Sequence, residues 1–120
     1  MKPVIELLER KRGEACCTLV TPRLTSAAAQ QVSDDLAILA HPVRLQILDL
    51  LARSEGQVCV CDLESGVPVK QPTVSHHLRV LREAGLIDCE KQGLWAYYFV
   101  KREAVAALRG RIDAHFQTLR

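Results

Sequence analysis

A helix with one polar face, followed directly by a hairpin, is the feature that most constrains the fold of this chain. Val74, Leu78 and Leu81 recur at spacings of three and four, which predicts a helix with a single buried stripe. Gln71 precedes a first-turn proline, and Gly85 can adopt the left-handed conformation that ends a helix. The chain must therefore bury one side of this helix and leave the other side free.

Two strand-like segments come after the helix. Residues 86–90 and 94–100 are rich in aliphatic and aromatic side chains, and the Lys-Gln-Gly sequence at 91–93 predicts the turn between them. Three aromatic residues alternate along the second strand and are expected to pack beneath the hairpin: Trp95, Tyr97 and Phe99.

The segments on either side predict further helices. Thr25 or Ser26 can cap a first core helix, Pro42 suits the start of a second, and residues 62–66 leave room for only a short third. Apolar residues from Val105 to Leu119 recur at helical spacing and predict a last helix that needs a partner. Short helix, turn, helix and hairpin is the order of a winged helix-turn-helix. The chain is divided into an arm, residues 1–24, and a winged helix-turn-helix domain, residues 25–120.

Composition excludes several other classes of protein. The 120 residues, 48% hydrophobic and 25% charged, suit one compact domain. The most apolar run, residues 36–51, is interrupted by polar side chains, and the N-terminus lacks a signal-peptide pattern, so a cytoplasmic protein is expected. Five cysteines are an odd number, and four of them form two close pairs, which does not suit a secreted disulfide framework. In a reducing compartment such pairs more often bind metal or react.

Polar and basic residues on the exposed helix face predict contact with double-stranded DNA. Short hydrogen-bonding side chains can reach base edges, whereas point charges contact phosphates. Residues 70–102 are also more basic than residues 49–64, which places the electrostatic footprint on the second half of the chain. The predicted DNA contacts are Lys70, Gln71, Thr73, Ser75, His76, Arg79, Arg82, Lys91 and Gln92. His77 lies nearer the edge of the buried face and is expected to be structural.

Four runs of sequence together resemble the ArsR/SmtB family of metal-sensing repressors. They are A-H-P-V-R-L-Q-I-L from Ala40, V-C-V-C-D-L from Val58, Q-P-T-V-S-H-H-L-R-V-L-R-E-A-G-L-I from Gln71 and K-Q-G-L-W-A-Y-Y from Lys91. The resemblance covers about residues 33–100. It implies a homodimer, formed by the N- and C-terminal helices, that binds operator DNA when metal-free and releases it when a metal or metalloid binds.

The cysteines are the candidate ligands of that inducer. Cys59 and Cys61 resemble the C-V-C-D-L motif of arsenic and cadmium responders, and Cys16-Cys17 resembles the N-terminal pair of some arsenic-responsive members. On a regular helix Cys59 and Cys61 would diverge by about 200°, but on a strand they would share a side. Either the helix start unwinds or only one of them binds.

Trivalent arsenic or antimony suits this set of thiols, because a soft centre with a lone pair takes three thiolate sulfurs. The expected set is Cys16 and Cys17, from the partner subunit's arm, with Cys59 or Cys61. Four thiols would instead suit cadmium, lead or zinc, and a thiol-redox or persulfide sensor is a further alternative. Asp113 and His115 match the start of a zinc site between terminal helices, but packing is the preferred interpretation. An enzyme is not expected, since no C-x-x-C motif or phosphate-binding glycine loop is present.

Overall fold

The structure, a computed structural model, describes residues 20–54 and 58–119. Five helices and three strands follow one another along these ranges. They are α1 (Ser26–Leu39), α2 (Pro42–Arg53), β1 (Val58–Cys59), α3 (Val60–Gly66), α4 (Gln71–Glu83), β2 (Ile87–Gln92), β3 (Trp95–Val100) and α5 (Arg102–Gln117). The predicted winged helix-turn-helix is therefore confirmed: α3 and α4 form the helix-turn-helix and β2–β3 the wing.

Local capping interactions fix where the helices begin and end. The Thr25 side chain accepts a hydrogen bond from the Ala28 N–H at 3.1 Å, and this starts α1 at the predicted point. The His41 Nδ1 accepts from the Val43 N–H at 3.1 Å, just before the first-turn proline of α2. Gly85 has φ of 80° after α4, as its sequence position predicted. These features confirm the predicted starts of α1 and α2 and the predicted end of α4.

The sheet differs from the sequence prediction in two ways. The two-residue strand β1 pairs antiparallel with β3, which makes a three-stranded sheet in the order β1-β3-β2. The turn of the hairpin is also shorter than predicted and starts two residues later, because Gln92 pairs with Trp95 and leaves only Gly93 and Leu94 between the strands. Lys91 and Gln92 consequently belong to the end of β2.

The hydrophobic core lies between α2, α3, α4 and the base of the hairpin. Its fully buried members include Ile47, Leu63, Val74, Leu81 and Ile87. Tyr98 and Val100 pack against this core, whereas Trp95 is 57% exposed. The prediction that Trp95, Tyr97 and Phe99 form the core beneath the hairpin is therefore wrong. Alternation identifies two faces of a strand, but here the opposite face is the one that meets the helices.

Helices α1 and α5 are joined by an ion pair between a buried carboxylate and an Arg111 side chain that is 45% exposed. Asp35 on α1 is 2% exposed and receives two hydrogen bonds from Arg111 on α5, at 2.8 Å from Nε and 3.0 Å from Nη2. Gln31 donates a third at 3.1 Å. The bidentate Arg111 guanidinium holds the pKa of Asp35 below its usual value, against the opposing effect of burial. This pair fixes the last helix against the first described one.

Candidate DNA interface and thiol site

Helix α4 presents a polar face to solvent and an apolar face to the core. Val74, Leu78 and Leu81 are at most 2% exposed, which confirms the predicted buried stripe. The nine side chains predicted to contact DNA are all exposed: Lys70, Gln71, Thr73, Ser75, His76, Arg79, Arg82, Lys91 and Gln92. One surface of α4 is thus available to enter a major groove with donors and acceptors outward.

The wing is fastened to the C-terminus of α4. The Leu86 N–H donates to the Leu81 carbonyl at 3.1 Å, and the Arg82 Nε lies 3.3 Å from Asp88 Oδ1 on β2. Both side chains of this ion pair are about half exposed. Arg82 therefore links α4 to the wing through this ion pair. Its predicted phosphate contact would be made while the side chain is paired with Asp88.

A pair of histidines packs behind the exposed face of α4. His77 is 4% exposed, and its ring centroid lies 4.1 Å from that of His41, which caps α2. Burial, followed by the nearby His41, Arg44 and His76, lowers the pKa of His77. Its Nδ1 has no hydrogen-bond partner among the described residues. This placement fits the prediction that His77 is structural. The contact between His41 and His77 was not predicted. The position of His41 directly before Pro42 is nevertheless typical of a helix cap.

The two cysteines of the C-V-C motif converge at the start of α3. Cys59 ends β1 in extended conformation, with φ of −66° and ψ of 146°, and serves as the N-cap residue of α3, while Cys61 lies in the first helical turn. The Cys61 thiol donates to the Cys59 sulfur at 2.9 Å. Helix α3 starts after Cys59, so the two sulfurs meet and do not diverge as they would on a regular helix.

The two thiols have different environments. Cys59 is 8% exposed, whereas Cys61 is exposed. The hydrogen bond with Cys59 raises the pKa of the Cys61 thiol, and loss of hydration acts in the same direction. A ligand that binds both sulfurs as thiolates must therefore displace protons.

Cys89 is separated from this pair by the sheet. It faces Tyr98 across β2 and β3, while Cys59 faces Tyr97 across β1 and β3, so the two thiols lie on opposite faces. They are also two strands apart, about 10 Å. Cys89 is thus poorly placed to join Cys59 and Cys61 on one ion.

The described residues do not form a second cluster of candidate metal ligands. Cys16 and Cys17, like most of the predicted arm, lie outside the described residues. Asp113 pairs with Arg109 on α5 at 3.4 Å, and His115 is half buried beside Phe116. Within residues 20–54 and 58–119, no group of three or more His, Cys, Asp or Glu side chains is placed to hold a metal ion. The same ranges contain no helix long and apolar enough to cross a membrane.

The fold and the exposed polar face of α4 define a winged helix-turn-helix DNA-binding protein. Residues 41–88 match the family described as "Bacterial regulatory protein, arsR family". The chain belongs to this family of transcriptional repressors.

Relatives of the chain include regulators of different specificity. The uncharacterized HTH-type transcriptional regulator MJ1325 of Methanocaldococcus jannaschii is 39% identical over 84 residues, which are 70% of this chain and 93% of that protein. The arsenical resistance operon repressor of Staphylococcus xylosus is 36% identical over 84 residues, 70% and 79% of the two chains. The cadmium resistance regulatory protein CadC of Listeria innocua is 35% identical over 79 residues, 66% of each.

Solved structures agree with this assignment. A possible transcriptional regulator for arsenical resistance superposes with a TM-score of 0.58 at 32% identity and covers 72% of this chain and 83% of its own. The repressor BigR from Xylella fastidiosa gives 0.57 at 32% identity, with coverage of 70% and 85%. These relatives are all named as transcriptional regulators, in agreement with the prediction that the chain is a regulator and not an enzyme.

Proposed function

We propose that this protein is a homodimeric repressor that binds operator DNA without inducer and releases it when trivalent arsenic or antimony binds cysteine thiolates. The observation that carries the proposal is the 2.9 Å approach of the Cys59 and Cys61 sulfurs. They lie at the start of α3, the helix immediately before the DNA-reading helix. Two sulfurs bound at about 2.3 Å to one centre are less than about 4.6 Å apart, so this pair is close enough to share a ligand.

The arm completes the proposed ligand set. A trivalent arsenic or antimony centre takes three soft thiolates, so one sulfur of the Cys59–Cys61 pair combines with two from the arm. Cys16 and Cys17, contributed from the arm of the partner subunit, bind together with Cys59 or Cys61. Residues 1–24 are thus an inducer-binding arm attached to a DNA-binding and dimerisation domain, residues 25–120. The relative named as an arsenical resistance operon repressor supports this choice of inducer.

Ligand binding is coupled to DNA binding through the packing of α3. Leu63 on α3 and Val67, the residue that follows this helix, are buried in the same cluster as Val74 and Leu78 on α4. At the other end of α3, a Cβ atom built on Gly66 would lie only 2.7 Å from Leu50 Cδ1, so the helix sits tightly on α2. Ligand binding that displaces the first turn of α3 therefore also shifts α4. This shift changes the spacing of the two DNA-reading helices in the dimer. A coupling of about 1 to 3 kcal/mol is typical of such switches.

Proton balance separates arsenite from a divalent metal at these thiols. Arsenous acid, As(OH)3, binds three thiols with loss of three water molecules, so the thiol protons leave with the hydroxides and no net proton is released. Cadmium binding to the same thiols releases their protons to solvent. We expect the arsenite concentration that releases half of a labelled operator duplex to change little between about pH 6.5 and about pH 8.5, and the corresponding cadmium concentration to fall.

Cysteine variants test the ligand set directly. In gel shifts with operator DNA, the Cys16→Ser/Cys17→Ser and Cys59→Ser/Cys61→Ser proteins should bind DNA without inducer and no longer respond to arsenite. Cys89→Ser is the matched control, because Cys89 lies on the other face of the sheet and should keep the full response. Operator binding by the unmodified protein that is indifferent to arsenite and antimonite would contradict the proposal, and a response retained by the arm variant would place the site elsewhere.

A four-thiolate site for cadmium, lead or zinc is the second candidate. The cadmium resistance relative favours it, as does the presence of four paired thiols in Cys16, Cys17, Cys59 and Cys61. X-ray absorption of the loaded protein counts the sulfurs, three for arsenic and four for cadmium.

A redox sensor is the third candidate, because two sulfurs 2.9 Å apart are placed to form a disulfide or to hold persulfide sulfur. Mass spectrometry after mild peroxide or polysulfide treatment, run beside operator binding, separates it from metal sensing.

A further inference from the structure

Three histidines meet where the DNA-reading helix α4 packs against the start of α2. The ring centroid of His77 lies 4.1 Å from that of His41 and 5.2 Å from that of His76. His77 is buried, whereas His76 is exposed beside the other predicted DNA contacts. This histidine cluster, His41, His76 and His77, therefore connects the cap of α2 to both faces of α4.

Hydrogen bonding in the cluster fits neutral imidazole rings. The Nδ1 of His41 accepts a hydrogen bond from the Val43 N–H at 3.1 Å, so this nitrogen carries no proton. The Nδ1 of His77 is buried and has no hydrogen-bond partner among the described residues. A charged His77 would have a donor on both ring nitrogens, and the one on Nδ1 would lack an acceptor among those residues. A proton on the Nδ1 of His41 would break the cap of α2.

The surrounding charges also oppose a proton in this cluster. The titratable and charged groups that act on His77 are His41 and Arg44 at the start of α2 and His76 on α4, and all three are basic. The positive end of the α2 helix dipole lies at the same place. Burial, more than these neighbours, holds the pKa of His77 below its usual value. A proton can therefore enter the cluster at low cost only if α2 and α4 separate locally.

The position of α4 on α2 also sets the position of the DNA-reading face. His77 is buried on the same side of α4 as Val74 and Leu78, and the exposed His76 is its direct neighbour. A displacement of His77 from α2 therefore moves the exposed side chains of the same helix. Hydrogen bonds to base edges weaken steeply with small changes in distance and angle. A local separation of the two helices should consequently weaken operator binding.

We propose that the histidine cluster is a proton-sensitive contact, in which the neutral His41 ring positions the reading helix through His77 and protonation in acid releases the helix and weakens operator binding. This inference rests on the operator binding proposed above. His41 and His77 are positioning residues, since neither is among the predicted DNA contacts. Histidine clusters that take up protons at about pH 5 to 6 switch packed interfaces in this way in other proteins.

Operator affinity measured against pH tests this contact in the full-length protein. Protonation of the exposed His76 would add a cation near DNA and strengthen binding in acid, so the measurements use His76→Gln protein. Its operator affinity should fall about three- to tenfold from about pH 7.5 to about pH 5.5, because the complex needs neutral His77 and binds fewer protons than the free protein. Circular dichroism at each pH reports whether the domain stays folded.

Two further changes in this background separate positioning from folding. His77→Leu fills the buried site with a neutral side chain, so operator affinity should become nearly independent of pH. His41→Asn keeps a side chain that can cap α2 but removes the ring beside His77. It should weaken operator binding about fivefold at about pH 7.5 and flatten the pH profile. Comparison of His77→Leu with the unmodified protein repeats the test with His76 present.

His115→Gln is the matched control for the loss of a histidine. The Nδ1 of His115 is also buried without a hydrogen-bond partner among the described residues, but this residue lies on α5. The control should keep the pH profile of the His76→Gln background.

The outcomes separate this inference from the function on which it rests. Equal operator affinity of the His76→Gln protein at both pH values would overturn the proton-sensitive contact and leave the repressor assignment intact. A pH profile that persists in His77→Leu, or that is lost in His115→Gln, would place the titrating group elsewhere and also overturn it. Loss of the circular dichroism signal in step with operator affinity would mean that acid unfolds the domain, which is equally contrary to the proposal. An unmodified chain that binds no operator at either pH would instead remove the proposed function.

Discussion

Helix α4 and the N-terminus of α3 are neighbours in the fold, yet they are held in different ways. The buried stripe of α4 packs against α2, α3 and the wing, and Leu81 is completely buried. The Cys59–Cys61 pair depends on a short strand end and one helical turn, and Cys61 is exposed. The DNA-reading surface is thus held in place by the core of the domain, while in the proposed function the thiol pair gains its remaining ligands only when the inducer binds. A repressor that binds DNA in its inducer-free form needs this asymmetry.

The largest expected effect is loss of the packing under the reading helix. Leu81 is 0% exposed, so Leu81→Ala should lower the free energy of unfolding by about 3 kcal/mol, measured by urea denaturation. Arg79→Ala on the exposed face should change it by less than about 0.5 kcal/mol and instead weaken operator binding about tenfold. If the two variants were equally stable, the reading helix would not be preformed as described.

The ion pair between α1 and α5 should have the next largest effect. Asn in place of Asp35 loses the charge that faces Arg111, so Asp35→Asn should lower the free energy of unfolding by about 2 kcal/mol. Asp113→Asn is the control, since its ion pair with Arg109 is exposed and should contribute little. Equal effects of the two changes would mean that α5 is not anchored through Asp35.

The smallest expected effect is a pH dependence from the buried histidine. Because the pKa of His77 is lowered, the unfolded chain takes up a proton at a higher pH than the folded protein does. The stabilisation is therefore complete above about pH 6.5 and decreases as the pH falls below this value. Urea unfolding at pH 7.5, 6.5 and 5.5 should show a shallower slope for His77→Leu, while His76→Gln should follow the unmodified protein. Identical slopes in all three proteins would refute this role.

Sequence patterns predicted the parts of the fold that depend on local chemistry. The helical period of Val74, Leu78 and Leu81, the Thr25 cap and the positive φ of Gly85 were all visible in the chain. What the patterns could not supply was pairing between distant segments. A two-residue strand such as β1 has no period of its own, and the Asp35–Arg111 pair joins residues 76 positions apart.

The same limit applied to the candidate site. The sequence left open whether Cys59 and Cys61 diverge or converge, because the answer depends on where α3 begins, and pairing of β1 with β3 sets that point. The alternation of Trp95, Tyr97 and Phe99 revealed a face of the wing but not which face meets the core.

The central claim is that one free energy couples the thiol site to the DNA-reading surface, and linkage tests it most directly. Arsenite affinity should be measured by calorimetry for the free dimer and for the dimer saturated with operator duplex, and operator affinity with and without saturating arsenite. We predict that operator weakens arsenite binding by the same factor by which arsenite weakens operator binding, about 5- to 150-fold. An arsenite affinity that is unchanged by operator would contradict the account.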